Sequence, residues 1–194
     1  KVWTAIAEWV KDFCASKKIS SWHILFTNAG NSEYLTKLDC HQRIAVQFHW
    51  FNEDYRDFQD YLSNFVSRKR KNIKKERARV QEQGIHLEML SGADILTEHW
   101  SSFHDFYQMT YAKRSGHGGY LSRDFFLSVL PNMSKQVVMC VAKKDSRAVA
   151  AALYFKSSTT LFGRYWGCIA EYDFLHFEAC YYQGIEYCIT HGLS

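Results

Sequence analysis

Residues 136–166 read QVVMCVAKKDSRAVAAALYFKSSTTLFGRYW, and this stretch decides the fold of the 194-residue chain. Three parts of it, residues 136–142, 148–155 and 160–166, are rich in valine, alanine and aromatic residues. The two segments between them are short and polar, as is typical of the turns in antiparallel hairpins. The stretch therefore predicts a three-stranded antiparallel meander.

Helical and strand-like patterns flank this meander along the chain. Helix is predicted in residues 2–15, 32–38, 57–65, 68–83, 100–111, 123–130 and 175–189. Strand-like composition also occurs in residues 22–27, 43–50 and 85–90. This order of elements predicts an α+β protein with a mixed, mostly antiparallel sheet, which has helices on both faces and is split near Tyr165 and Trp166.

The overall composition excludes several classes of protein. Hydrophobic residues make up 47% and charged residues 23% of the chain, which excludes wholesale disorder, collagen-like chains and coiled-coil rods. No apolar run approaches the roughly 18 residues of a membrane helix, and no basic and then apolar leader opens the sequence. We therefore expect a soluble, cytoplasmic protein without a membrane span. Because the chain starts at Lys1 without a methionine and stops soon after Gly192, we also expect a piece of a longer protein.

The six cysteines and nine histidines do not form a metal-binding pattern. No C-x-x-C pair occurs, and the five-residue spacing of His99 and His104 splits their rings across a helix. Most of the cysteines lie in apolar stretches, where buried, reduced thiols are common. The sequence therefore predicts no metal site and gives no ground for thiol catalysis.

Positive charge is concentrated in residues 68–79, RKRKNIKKERAR. This window holds eight basic residues and one acidic residue, so the remainder of the chain has a net charge of −3, although the whole chain carries +4. On a helix the window forms two basic stripes beside a thin apolar one. The candidate phosphate-binding residues are Arg68, Arg70, Lys71, Lys74 and Lys75. They predict contact with the phosphates of a coenzyme, an acceptor or an RNA, and the alternative is a solvated helix face.

A second cluster of candidate site residues lies between residues 164 and 183. The last predicted strand ends in two large aromatic residues and a glycine, and a helix with a histidine and a carboxylate in its first turns follows. Helix starts offer free N–H donors, so anions bind and acids or bases act there. The candidate catalytic residues are His176 as a base, Glu178 as a base or as the partner that orients His176, and Tyr165, Tyr181 and Tyr182 as proton donors. Arg164 and Trp166 are candidate substrate-binding residues. The alternative is that Trp166 and Tyr182 belong to the core and that His176 caps the helix.

The two ends of the chain have a similar pattern. Residues 2–20 and residues 175–194 each consist of a helical segment followed by a short tail that ends in serine. Such a repeat predicts two related units, of which the first ends early in the chain and the second stops at the corresponding point. A sheet left open at the end of the second unit would be completed within one chain or between two, so a homodimer or a domain swap is one of the expected arrangements.

Three motifs resemble those of a known protein family. They are SRKRKNIKKER at residues 67–77, YLSRDFF at residues 120–126, and FGRYWGC with FLHFEACYYQGIE within residues 162–186. Over residues 48–192 the chain is similar to bacterial Fem-like proteins of peptidoglycan biosynthesis or recognition, which belong to the GNAT-like acyl-CoA N-acyltransferases. The resemblance implies two tandem GNAT-like units: residues 1–52 would be the C-terminal part of the first, and residues 53–194 most of a second that is truncated at its C-terminus.

The same resemblance implies a transferase. Related Fem enzymes move amino acids from aminoacyl-tRNA to peptidoglycan precursors, so we expect an acyl or aminoacyl transferase that acts on an amine acceptor, with acyl-CoA or aminoacyl-tRNA as the donor. The R/Q-x-x-G-x-G/A loop that binds the pyrophosphate of acetyl-CoA in GNAT enzymes is absent. One alternative is a non-catalytic module that recognises a cell-wall precursor or RNA through the basic helix. Another is a fragment that is inactive without its C-terminal strand.

Overall fold

The computed structural model describes residues 2–194, and the chain divides into two compact units. The first unit ends at His49 and the second begins at Trp50. This division lies close to residue 52, where the sequence predicts the boundary. That the two parts belong to tandem GNAT-like units, the first incomplete and the second truncated, stays a prediction.

The first unit contains two helices, α1 (Val2–Lys17) and α2 (Ala29–Thr36). Trp3 Nε1 on α1 donates a hydrogen bond to Asn31 Oδ1 on α2 at 2.9 Å. Asn28 caps α2, because its side-chain oxygen accepts a hydrogen bond from the Asn31 backbone N–H at 2.8 Å. Side-chain hydrogen bonding therefore both starts α2 and joins it to α1.

Residues 22–27 and 43–50, which the sequence predicts as strands, form no strand. In the second segment the alternate residues Ile44, Val46 and Phe48 are 89%, 83% and 89% exposed. An extended segment becomes a strand only when a neighbouring strand takes up its N–H and C=O groups. No strand within residues 2–194 pairs with either segment, so the prediction from alternation alone is wrong here.

The second unit is a four-stranded sheet with helices around it. The strands are β1 (Ile85–Ser91), β2 (Val137–Lys144), β3 (Arg147–Lys156) and β4 (Leu161–Cys168). The helices are α3 (Phe58–Ser63), α4 (Ser67–Glu82), α5 (Thr97–Ser115) and α6, and short 3₁₀ or π-helical segments lie at Gly92–Asp94, Phe125–Val129 and Leu130–Gln136. Helix α6 consists of an α-helical turn (Leu175–Phe177), a π-helical turn (Glu178–Tyr182) and a second α-helical part (Gln183–His191).

The sheet order is β1-β2-β3-β4, and each neighbouring pair is antiparallel. The predicted meander and the predicted α+β class are therefore confirmed. On β4, Tyr165 pairs with Leu153 and Trp166 pairs with Ala152 of β3. The predicted split of the sheet at Tyr165 and Trp166 is wrong, because both residues stay paired and β4 is the edge strand of the described sheet.

Helices cover both faces of the sheet, as predicted. Successive side chains of a strand point to opposite faces, so the neighbours Met139 and Cys140 on β2 lie in different cores. Met139 belongs to a buried cluster with Phe103 of α5, whereas Cys140 belongs to one with Ala179 and Tyr187 of α6. Burial of the central strands on both sides therefore fixes α5 and α6 on opposite faces.

Helix α5 lies very close to β4 at Gly167. A Cβ atom at this position would lie 2.5 Å from the backbone C and O atoms of Phe106, so only glycine allows the contact. The helix ends at Gly116, which has a left-handed backbone (φ 71°) and donates its N–H to the Ala112 carbonyl at 3.0 Å. The close approach and the glycine cap together place the C-terminal end of α5 near the edge strand.

Candidate functional site

Helix α6 separates the two candidate bases, His176 and Glu178. Residues two apart point to different sides of a helix, and each side faces its own cavity. Glu178 lines a cavity of about 180 Å³, here called the Glu178 cavity, together with Arg77, His86 and Gln183. His176 lines another of about 170 Å³, the His176 cavity, together with residues that include Arg114 and Trp166. The two candidate bases therefore do not act on one another.

An ion-pair network occupies the Glu178 side. Glu178 is only 3% exposed, and both of its carboxylate oxygens accept hydrogen bonds from Arg77 Nε at 3.1 Å. Gln183 Nε2 donates to Glu178 Oε1 at 2.7 Å, and Arg77 Nη2 donates to Glu186 Oε2 at 2.7 Å. The Arg77 guanidinium also lies 4.5 Å from the centre of the Phe58 ring. The Glu178 carboxylate thus holds α4 against α6 and is not free to accept a proton from a substrate.

The His176 cavity contains an imidazole among aromatic rings. The centre of the His176 ring lies 5.4 Å from that of Trp166 and 5.9 Å from that of Tyr181. Burial, and after it the positive charge of Arg114, lower the pKa of His176 below its usual 6.5. The imidazole is consequently neutral at pH 7 and able to accept a proton.

The π-helical turn Glu178–Tyr182 places Tyr181 beside His176. Its closing hydrogen bond runs from the Gln183 N–H to the Glu178 carbonyl, five residues back, whereas an α-helix uses four. The wider turn aligns residues five apart, and the pairs His176 with Tyr181 and Glu178 with Gln183 both follow from it. Such turns are frequent at functional sites.

Tyr182 points to helix α4 instead of His176. Its hydroxyl donates a hydrogen bond to Glu76 Oε2 at 2.6 Å. Burial, followed by this hydrogen bond, raises the pKa of Tyr182 above its ordinary value of 10. Of the two neighbouring candidate tyrosines on α6, only Tyr181 therefore lies beside His176, and it is not among the residues that line the His176 cavity.

Tyr165 and Arg164 precede Trp166 on β4 but do not join the His176 cavity. Tyr165 packs against Tyr107 of α5, with ring centres 5.4 Å apart, and the Arg164 guanidinium lies 4.8 Å from the Tyr165 ring centre. Trp166 points to the opposite face of the sheet, where it meets His176. Only Trp166 of the three strand residues therefore lines the cavity.

The predicted phosphate-binding residues of α4 lie outside both cavities. Four of them, Arg68, Lys71, Lys74 and Lys75, are exposed, and within residues 2–194 none of the four has a hydrogen bond or ion pair. Arg70 is half-buried and donates from Nη1 to the Ser63 carbonyl at 3.3 Å. Helix α4 meets α6 through Glu76 and Arg77 instead, and Arg77 and Glu178 line the Glu178 cavity together. The basic helix and the C-terminal cluster therefore share that cavity, but the predicted phosphate-binding residues and His176 do not belong to it.

Two arginines at these cavities are not among the residues that the sequence predicts for the site. Arg77 follows Ile73 by four positions and precedes Val80 by three, so it lies on the apolar stripe of α4. A basic residue on an apolar stripe indicates a buried cation. This signal is hard to recognise here, because most of the neighbouring residues are also basic. Arg114 lies near the C-terminal end of α5, and no motif marks it.

Cys168 also lines the His176 cavity. Burial, and after it the nearby Glu171 carboxylate, raise the pKa of the Cys168 thiol. The thiol therefore keeps its proton at pH 7 and is a poor nucleophile.

Residues 2–194 contain neither a metal-binding cluster nor a membrane-spanning helix. No group of three or more histidine, cysteine, aspartate or glutamate side chains that could hold a metal ion occurs there. No helix in the same part of the chain is long and apolar enough to cross a membrane.

An antiparallel sheet with helices on both faces is consistent with a GNAT-like fold. The model of the FemAB-like family, described as peptidoglycan biosynthesis/recognition, matches the chain over residues 1–194. The chain therefore belongs to the FemAB-like family, which relates its function to peptidoglycan. No curated protein matches the chain.

Proposed function

We propose that this protein transfers an acyl or aminoacyl group to the amine of a peptidoglycan precursor, with His176 as the base. The observation that supports this proposal most is the neutral imidazole of His176 in a cavity beside Trp166 and Tyr181. Membership of the FemAB-like family supports an acceptor from peptidoglycan metabolism.

The reaction joins the acceptor nitrogen to an activated carbonyl carbon. His176 takes a proton from the amine as the C–N bond forms, and the C–S bond of a thioester or the C–O bond of an ester breaks. Tyr181, whose ring lies beside His176, gives a proton to the departing sulfur or oxygen. Because such donors are already activated, holding donor and acceptor together supplies much of the rate.

Glu178 has a positioning role in this proposal. Its carboxylate is occupied by Arg77 and Gln183, and the second of these bonds spans the π-helical turn. Fixing that turn holds the Tyr181 ring beside His176. The choice of His176 over Glu178 as the base therefore follows from which of the two has a free proton-accepting atom.

An acyl-CoA and an aminoacyl-tRNA are the two donors that fit. Both carry phosphates, and the exposed cations Lys71, Lys74 and Lys75 of α4 offer a surface for them. Since the usual pyrophosphate-binding loop of GNAT enzymes is absent from the sequence, these lysines are the phosphate ligands proposed for either donor.

A non-catalytic binding module is the second candidate function. One observation favours it: the exposed cations Arg68, Lys71, Lys74 and Lys75 of α4 have no partner within residues 2–194 and do not line the His176 cavity. In that case α4 would bind a cell-wall precursor or RNA by itself, and the properties of His176 would be incidental.

A transfer assay tests the first candidate. The full-length protein is incubated with labelled acyl-CoA or aminoacyl-tRNA and cell-wall precursors, and we expect label on an acceptor amine. Failure of both donors to label any amine would contradict the proposal. A cellular assay separates the two candidates: if His176→Gln keeps function while the triple change of Lys71, Lys74 and Lys75 to Gln loses it, the binding module is correct.

A further inference from the structure

Arg114 is a cation without a hydrogen-bond partner at the wall of the His176 cavity. It makes no hydrogen bond or ion pair with any residue of the described range 2–194. Its neighbour Lys113 forms an ion pair with Glu171, which also lines the cavity. Lys113 first, and to a lesser degree the charge of Arg114, lower the pKa of Glu171. The hydrogen-bond donors of the Arg114 guanidinium are left available.

The charges around the His176 cavity favour a ligand with a single negative charge. Lys113 and Arg114 both act on the Glu171 carboxylate, and the imidazole of His176 is neutral at pH 7. The two cations and the one carboxylate therefore leave one net positive charge at the cavity. A guanidinium binds a carboxylate through two parallel hydrogen bonds. A phosphate dianion would leave excess negative charge beside Glu171, so a carboxylate fits better.

The size and the remaining walls restrict what carries that carboxylate. The volume of about 170 Å³ is below the several hundred Å³ of sites that enclose a whole small ligand, so it holds the end of a substrate. The rings of Trp166 and Tyr172 line it as well, and such rings accept an aliphatic stem or an ammonium group. The ligand that fits these walls is therefore a short group with a carboxylate and an aliphatic stem or an ammonium group.

We propose that the His176 cavity is the acceptor subsite and that Arg114 binds a carboxylate of the acceptor. The acceptor would then be an amino acid or the end of a peptide, with its amine directed to His176. This inference rests on the proposed transfer, and it specifies the chemical class of the acceptor.

Binding of small probes without any donor tests the subsite. The probes are glycylglycine, its amide glycylglycinamide, and inorganic phosphate, and the His176 ring is followed by NMR in the full-length protein. We expect glycylglycine to bind at least about tenfold more tightly than the amide, which lacks the carboxylate. The bound carboxylate offsets the charge of Arg114, so it raises the pKa of His176.

Two variants complete this test. Arg114→Gln should weaken glycylglycine binding about tenfold and leave binding of the amide unchanged. The matched control Arg147→Gln, an exposed arginine outside the cavity, should bind both probes as the original protein does. Equal binding of glycylglycine and the amide, or tighter binding of phosphate than of glycylglycine, would overturn the subsite. Neither comparison needs a variant.

The outcomes separate this inference from the proposed function. If glycylglycine binding depends on Arg114 but no donor yields transfer, the subsite is correct and the transferase proposal fails. If transfer occurs and Arg114→Gln changes neither KM for the acceptor nor glycylglycine binding, the transferase proposal stands and the subsite is refuted.

Discussion

An arginine lies beside a titratable side chain on each side of helix α6, but it is hydrogen-bonded to carboxylates on only one of the two sides. On the Glu178 side, Arg77 lies between the carboxylates of Glu178 and Glu186 and every charge has a partner. On the His176 side, the imidazole is neutral and the arginine, Arg114, has no partner within residues 2–194. The donors of Arg77 are taken up by carboxylates of the protein, so this arginine joins α4 to α6. The donors of Arg114 form no hydrogen bond within the protein, so this arginine is available to a ligand.

Glu178→Ala should give the largest effect, because it breaks the paired side. The half-buried Arg77 guanidinium would keep Glu186 but lose its buried partner. We therefore expect a loss of about 3 kcal/mol of unfolding free energy, at the lower end of the cost of breaking a buried pair. Urea denaturation measures this loss. Glu171→Ala, which removes an exposed carboxylate from the His176 side, should lose much less. Equal losses would show that the two sides do not differ as described.

His176→Gln should reduce the rate of transfer and leave the stability nearly unchanged. It removes the proposed base, so the rate of transfer should fall about a hundredfold, while the free energy of unfolding should change by less than about 1 kcal/mol. Tyr182→Phe is the matched control, since its ring lies on α6 but its hydroxyl contacts Glu76 on the other side. A loss of stability as large as that of Glu178→Ala would indicate that His176 is structural.

Gly167→Ala on β4 tests the close contact with α5 that places Arg114. The added methyl group would overlap the backbone of Phe106, and overpacking of this kind costs about 1–3 kcal/mol. Because α5 must move away from β4, the position of Arg114 should change while the Arg77 network stays intact. Thermal denaturation measures the stability, and glycylglycine binding reports on Arg114. Unaltered stability would mean that the close contact between α5 and β4 is absent.

The smallest effect concerns acid stability. The folded protein resists protonation of His176, whereas the unfolded chain takes up the proton near the usual pKa of 6.5. Unfolding is therefore favoured as the pH falls below about 6.5, and no such contribution exists at higher pH. Urea denaturation at several pH values measures this effect. Below about pH 6.5 the free energy of unfolding should fall more steeply for the original protein than for His176→Gln, and above pH 7 the two should change with pH in the same way. A difference that grows with rising pH would contradict this sign.

The sequence predicts the second unit far better than the first. The meander between residues 136 and 168 and helices α3 to α6 are recognisable because their apolar residues recur at the period of each element and turn residues bound them. The strand predictions for residues 22–27 and 43–50 are wrong, because a strand needs a neighbouring strand and local composition does not show whether one is present.

The candidate site is predicted only in part. His176, Trp166 and Tyr181 come together, but the partners of Glu178 do not follow from its own neighbourhood. Arg77 lies 101 positions away in the chain, and a contact over that distance depends on the packing of α4 on α6. The π-helical turn is also invisible in the sequence, because its residues have the same apolar spacing as an ordinary helix.

That turn is a place where α6 can lose a residue. Deleting one residue from Glu178–Tyr182 would convert the π-helical turn into an α-helical one, and the helix on either side would keep its orientation, because an α-helical turn needs one residue fewer. A deletion in the α-helical part Gln183–His191 would instead rotate all that follows by about 100° relative to what precedes it. We therefore expect the buried residues Tyr187 and Cys188 to keep their places after the first deletion.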